Sequence, residues 1–164
     1  MKKFTSPTQQ KGELAETIVC NYLIRRGFVI VERNFTRTYG EIDVVAKKGE
    51  IIHFIEVKSV SKNIIQGDNG NNIKKEPFVT CETRESPVTH VTNMLRIKEN
   101  IYDSYNAEDN MHPWKLKRLS RTIQTYLMSN RINEDREWQV DLLVVYLDVP
   151  NKKAQVKVTP DIVL

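Results

Sequence analysis

Apolar and polar positions along the chain fall into two kinds of period. Leu14, Ile18 and Tyr22, with Ala15, Val19 and Leu23, recur at helical spacing. Ser6-Pro7 ahead of them supplies an N-cap and a first-turn proline, and Gly27 supplies a stop, so the pattern predicts an amphipathic helix. Three short runs rich in β-branched residues follow, Phe28 to Glu32, Glu41 to Ala46 and Ile51 to Val60, the last two separated by the turn Lys47-Lys48-Gly49-Glu50. They read as a β-meander. From Ser61 to about Pro87 the chain turns polar and irregular, with Gly67 and Gly70 among asparagines, and predicts a mobile loop or lid. Val91, Met94, Leu95, Lys98, Ile101, Tyr102 and Tyr105 suggest a further helix, and Leu116, Leu119, Ile123, Tyr126 and Leu127 mark another from about Pro113 to Ser129. Val140 to Val149 is an almost continuous apolar strand, and Pro150-Asn151-Lys152-Lys153 turns it into a last strand near Ala154 to Val158. This order predicts one α/β domain over residues 1–164, a sheet with helices packed on it and a segment of about 61–110 inserted.

Charged residues break the apolar runs at a few places. Asp43 lies in Gly40-Glu41-Ile42-Asp43, and Glu56-Val57-Lys58 lies within the run IIHFIEVKSV. An ionised group among such neighbours loses several kcal/mol of hydration unless it is paired, hydrogen-bonded or bound to a metal. If the hairpin loop centres on Lys48-Gly49, Asp43 stands opposite Phe54 and diagonal to Glu56. Residues 54, 56 and 58 share one face of the strand. Asp43, Glu56 and Lys58 then converge with neighbouring Cβ atoms about 7 Å apart. Two carboxylates at that spacing suit one Mg²⁺ (or Mn²⁺), which takes carboxylate oxygens, waters and substrate phosphate oxygens together. A lysine beside them is placed to orient a water for attack on a phosphodiester. Glu13, early in the first helix, is a candidate for a further carboxylate.

Composition narrows the classes. A chain of 164 residues with 40% hydrophobic and 28% charged side chains has the make-up of one globular domain. No apolar stretch approaches the roughly 20 residues needed to cross a bilayer, and MKKFTSPTQQ has no apolar core of a signal peptide, so a cytoplasmic chain without a membrane partner is expected. Cys20 and Cys81 lack paired spacing and read as free thiols, and no Cys/His spacing supports zinc at His53, His90 or His112. His53 reads as a packed or surface histidine, Trp114 and Trp138 as packing residues, and Asp141 as a capping or edge residue outside the site. The net charge of +4 is uneven: residues 114–136 hold six basic against two acidic side chains, and no acidic residue lies between Met111 and Asn133. Nothing nearby in sequence neutralises Lys115, Lys117, Arg118 and Arg121, which makes their helix a candidate phosphate-contacting face.

Taken together, Gly12-Glu13 and Ala15, Arg33-Asn34, Gly40-Glu41-Ile42-Asp43, Phe54-Ile55-Glu56-Val57-Lys58, and Lys115-Leu116-Lys117-Arg118-Leu119 followed by Tyr126-Leu127 resemble the YraN-type family. That family is similar to Holliday-junction resolvases within the PD-(D/E)xK, restriction-endonuclease-like superfamily. The resemblance implies a mixed central β-sheet flanked by α-helices and Mg²⁺-dependent cleavage of DNA, branched or structured DNA included. It places Glu13, Asp43, Glu56 and Lys58 at the active-site positions. The segment of about 61–110 is longer than the family usually carries, and Ser59-Val60 stands where members often have a basic residue. The class alternative is a non-catalytic nucleic-acid-binding or scaffold module on the same fold; whether the chain forms a homodimer stays open.

Overall fold

The computed structural model of the chain describes residues 6–61, 96–99 and 112–164. Its first element is helix α1, Pro7–Arg25. The Ser6 hydroxyl accepts the Gln9 amide while the Gln9 side chain accepts the Ser6 amide, both at 3.2 Å, so two amides that the first turn leaves unbonded are satisfied reciprocally. Strands β1 (Val29–Arg37), β2 (Gly40–Lys48) and β3 (Ile51–Ser61) follow, then β4 (Arg96–Glu99), helix α2 (Pro113–Ser129), β5 (Trp138–Asp148) and β6 (Lys153–Thr159).

The strands form one six-stranded mixed sheet in the order β1-β2-β3-β5-β6-β4. Neighbours are antiparallel except β3 with β5 and β4 with β6, which run parallel. The two helices cover opposite faces, as two separate cores show. On one face, Ile18, Val19 and Leu23 of α1 pack on Val44, Ala46, Ile55, Leu143, Val145 and Leu147. On the other, Leu119, Ile123 and Tyr126 of α2 pack on Val45, Phe54, Val140, Leu142, Val144 and Tyr146. Successive β5 residues thus feed alternate cores, which is why its sequence is apolar without alternation. Tyr126 anchors α2, its ring edge-on to Phe35 at 4.9 Å and Phe54 at 5.5 Å. Burial of each such side chain stabilises by about 1.5–3 kcal/mol. Among the described residues no helix is long and apolar enough to cross a membrane.

Three expectations need correction. Strand β1 runs on to Arg37 through Arg33-Asn34-Phe35, a polar stretch that pairs because β2 lies beside it. Arg96–Glu99, expected in a helix, is a strand paired with Lys153–Val156 of β6; the sheet edge outweighs a weak helical spacing. The rest of the expected loop, lid and second helix lies outside the described residues. The β2–β3 loop is Gly49-Glu50, with Lys48 opposite Ile51, one residue later than expected, because Gly49 at φ +59° supplies the positive φ that a two-residue hairpin turn needs. Asp141, expected as a cap or edge residue, does cap: just beyond the end of the β5–β6 ladder its buried carboxylate accepts the Asp161 amide at 3.0 Å.

Candidate active site

Strand β3 is fastened unequally on its two sides. Its parallel ladder with β5 runs from Ile52↔Trp138 to Ser61↔Leu147, whereas its ladder with β2 ends at Val44↔Ile55. The amides beyond Ile55 therefore need another partner on the β2 side. At Val57 that partner is the Asp43 carboxylate, which accepts the amide at 2.7 Å. Shifting the register by two residues keeps every side chain on its face, so Asp43 still converges on Glu56, now directly across rather than diagonally.

A twist in the neighbouring ribbon holds Asp43 there. Val44 and Ala46 belong to the α1-side core, but Ile42 and its partner Phe35 belong to the α2-side core. The ribbon changes face between these pairs, at the pair its ladder skips between them, where Asn34 of β1 would meet Asp43. Asn34 sits at φ +54°, a conformation that asparagine tolerates better than most residues. The Arg33-Asn34 and Gly-Glu-Ile-Asp motifs are thus two halves of one structural device. Gly40 completes it: a Cβ there would meet the Thr122 hydroxyl at 3.2 Å, so glycine allows α2 to lie directly on the β1–β2 turn. The Arg118 guanidinium donates to the Tyr39 carbonyl and ties the helix down at the same point.

Burial and crowded charge dominate the electrostatics. Asp43 is 9% and Glu56 4% exposed. Loss of water and then the charge of Glu56 push the Asp43 carboxyl up to about 8, the Val57 amide opposing and Glu16 and Glu41 adding to the rise. The Lys58 ammonium is moved below its ordinary range by burial and by the Lys115 charge, with Glu56 acting the other way. Glu56 forms an ion pair with Lys115, from the first turn of α2.

The structure thus brings Asp43, Glu56 and Lys58 together and recruits Lys115 to them. Lys115 is therefore a member of the carboxylate site rather than of a separate phosphate-binding face. Glu13 stands apart, its side chain exposed to solvent. The α1 carboxylate that Asp43 feels is Glu16, one turn on; burial raises its pKa against hydrogen bonds from Asn34 and Arg33. Its signal in the sequence was its place beside the apolar stripe of α1, with Arg33 as a cationic partner 3.5 Å away in the fold. The expected basic face also divides. Arg118 turns to Tyr39, whereas Lys117 and Arg121 are exposed and line a shallow cleft with Leu116, Ser120, Gln124 and Leu164. Trp138 packs edge-on against Phe54 at 5.8 Å, but Trp114 is 59% exposed and is not a packing residue. His53 is buried, hydrogen-bonded to Asp141 at 2.7 Å.

Among the described residues no three His, Cys, Asp or Glu side chains are grouped to hold a metal by themselves. Two carboxylates are nevertheless the usual protein share of a Mg²⁺ site, whose other positions go to water and phosphate. Asp43 and Glu56, crowded with like charge, have the hard-oxygen donor set for it.

A UPF0102 protein of Campylobacter lari strain RM2100 is 31% identical over 137 residues, 84% of each chain. The chain belongs to the UPF0102 family. Residues 15–80 match the family described as Uncharacterised protein family UPF0102. A UPF0102 protein of Campylobacter concisus strain 13826 is 31% identical over 135 residues, 82% of this chain and 81% of its own. One of Campylobacter fetus is 48% identical over 52 residues, 32% of this chain and 46% of its own. The UPF0102 match takes in Glu16, Asp43, Glu56 and Lys58 and begins two residues after Glu13.

Proposed function

We propose that this UPF0102 chain is a divalent-metal-dependent endonuclease of the restriction-endonuclease-like kind, hydrolysing phosphodiester bonds in DNA, structured or branched DNA included, in the cytoplasm. The observation that carries this reading is the Asp43 carboxylate set against Glu56 at the point where β2 leaves β3, with Lys58 two residues further along the same face. A buried carboxylate held beside a second like charge destabilises the fold unless a ligand uses the pair, and the ligand that satisfies both is a cation.

Asp43 and Glu56 would hold Mg²⁺ or Mn²⁺, which when bound supplies positive charge against the scissile phosphate. The chain's own residues do the rest. The Val57 amide fixes one Asp43 oxygen, leaving the other for the cation. Lys58, its ammonium more readily deprotonated than an ordinary lysine, orients the attacking water and exchanges its proton. Glu16, rather than Glu13, is the helix carboxylate that shapes the field at Asp43. A scaffold module on the same fold would have no use for these buried charges.

The test is a cleavage panel of duplex, single-stranded, flap and four-way-junction DNA with Mg²⁺ or Mn²⁺, run beside Asp43→Ala. Metal-dependent cutting of at least one substrate by the wild type and none by the variant is expected. Absence of cutting across the panel by protein that binds Mn²⁺ favours the scaffold reading.

A further inference from the structure

Lys115 gives the site a second ammonium, from a different element than Lys58. Its pairing with Glu56 is not explained by local helix physics. Lys115 lies in the first turn of α2, the positive end of the helix dipole, where a cation is disfavoured and where no acidic residue offsets it. What holds it there is the Glu56 carboxylate, whose side chain is only 5% exposed and so depends strongly on a counter-charge. The Lys115 side chain itself is 36% exposed, open to solvent on its outer side. The helix beneath it is pinned by the Arg118 contact to Tyr39 and by the close approach at Gly40, so the side chain can swing outward without moving the helix.

We infer that Lys115 is a tethered counter-ion that exchanges with the divalent cation: it neutralises Glu56 until the cation arrives, and then turns outward to a DNA phosphate. This rests on the nuclease reading above and deepens it, because it couples cation loading to substrate binding. The charge count supports exchange. With both carboxylates ionised to hold it, Asp43 and Glu56 face Lys58 and Lys115, so a cation of charge +2 leaves a surplus of positive charge. Lys58 is needed beside the attacking water, whereas the Lys115 side chain, 36% exposed, has an open path. The lysine released carries its charge to where the phosphate backbone must lie for the same cation to reach it.

Exchange predicts opposite signs for two bindings after one substitution. In Lys115→Met, Mn²⁺ alone, titrated calorimetrically, should bind about tenfold more tightly, because no ammonium competes for Glu56. The same variant should bind four-way-junction DNA several-fold more weakly in Ca²⁺, by fluorescence anisotropy. Lys115→Gln, which keeps a hydrogen-bond donor for Glu56, should move both values the same way and guards against a folding defect in the first variant. Unchanged or weaker Mn²⁺ binding in both variants, with wild-type circular dichroism, overturns the exchange and leaves the nuclease reading standing. No Mn²⁺ binding by wild type or by either variant overturns the nuclease reading itself, and the exchange with it.

Discussion

Replacing Asp43 by Asn should make the protein more stable and flatten its response to pH. Asparagine keeps an oxygen for the Val57 amide, so the change removes a charge rather than a hydrogen bond. The Asp43 carboxyl goes from an ordinary value of 3.8 to about 8 in the fold, first through burial and then through Glu56. The fold therefore favours the protonated form. That stabilisation is complete below about pH 4 and is lost as the pH rises through about 8. At about 1.4 kcal/mol per tenfold in proton affinity, four decades set a ceiling of about 6 kcal/mol. The repulsion is shared with Glu56, so about half of it, 2–3 kcal/mol, is the expected advantage of Asp43→Asn at pH 9. Urea unfolding in EDTA at pH 4, 7 and 9 measures it. The two proteins should be nearly equal at pH 4 and diverge as the wild type weakens. Adding Mn²⁺ at pH 8 should restore the wild type and leave the variant unchanged, since only the wild type has both carboxylates. Parallel stability curves from pH 4 to 9 would refute the reasoning, because the Asp43 carboxyl would then not be raised in the fold.

Glu16→Gln should lower cleavage and alter its pH profile, whereas Glu13→Gln should leave both near wild type; parallel rate measurements from pH 6 to 9 separate the two helix carboxylates. Lys117→Ala with Arg121→Ala should weaken binding to all DNA sequences alike and reduce the slope of log K against log salt by roughly 0.9 per lost contact, read in Ca²⁺ to suppress turnover. Arg118→Ala should change that slope less and lower stability more, because its guanidinium holds the β1–β2 turn. Gly40→Ala should cost about 1 kcal/mol of stability in chemical denaturation, since the added Cβ presses the Thr122 hydroxyl on a packed helix.

The chain order of helix, meander, helix and final hairpin was legible because each of those elements has a strong period or a clear stop, as with Ser6 and Gly27 around α1. Asp43, Glu56 and Lys58 were legible because they are charges inside apolar runs, and the two-residue strand period set their faces whatever the loop. The register itself was not, since Lys48-Gly49 and Gly49-Glu50 are both plausible turn centres until the positive φ of Gly49 fixes one. The exchange of faces at Asn34 has no periodic signature at all; it reads as a polar end to β1. Glu16 was obscured by Glu13, which occupies the same helix and differs only in which side it presents. Lys115 looked like one of four phosphate-contacting cations on a helix face, and only the docking of α2 on Gly40 turns it toward Glu56. Strand β4 depends on a neighbour more than 50 residues away in sequence, which local spacing does not register.

The most direct test of the central claim follows cleavage and Mn²⁺ binding together in Asp43→Asn, Glu56→Gln and Lys58→Ala. Both carboxylate variants should lose cation binding and cleavage while remaining folded, and Lys58→Ala should bind Mn²⁺ as the wild type does yet cut far more slowly. Wild-type Mn²⁺ affinity in Asp43→Asn, or cleavage that survives in Glu56→Gln, would contradict the account.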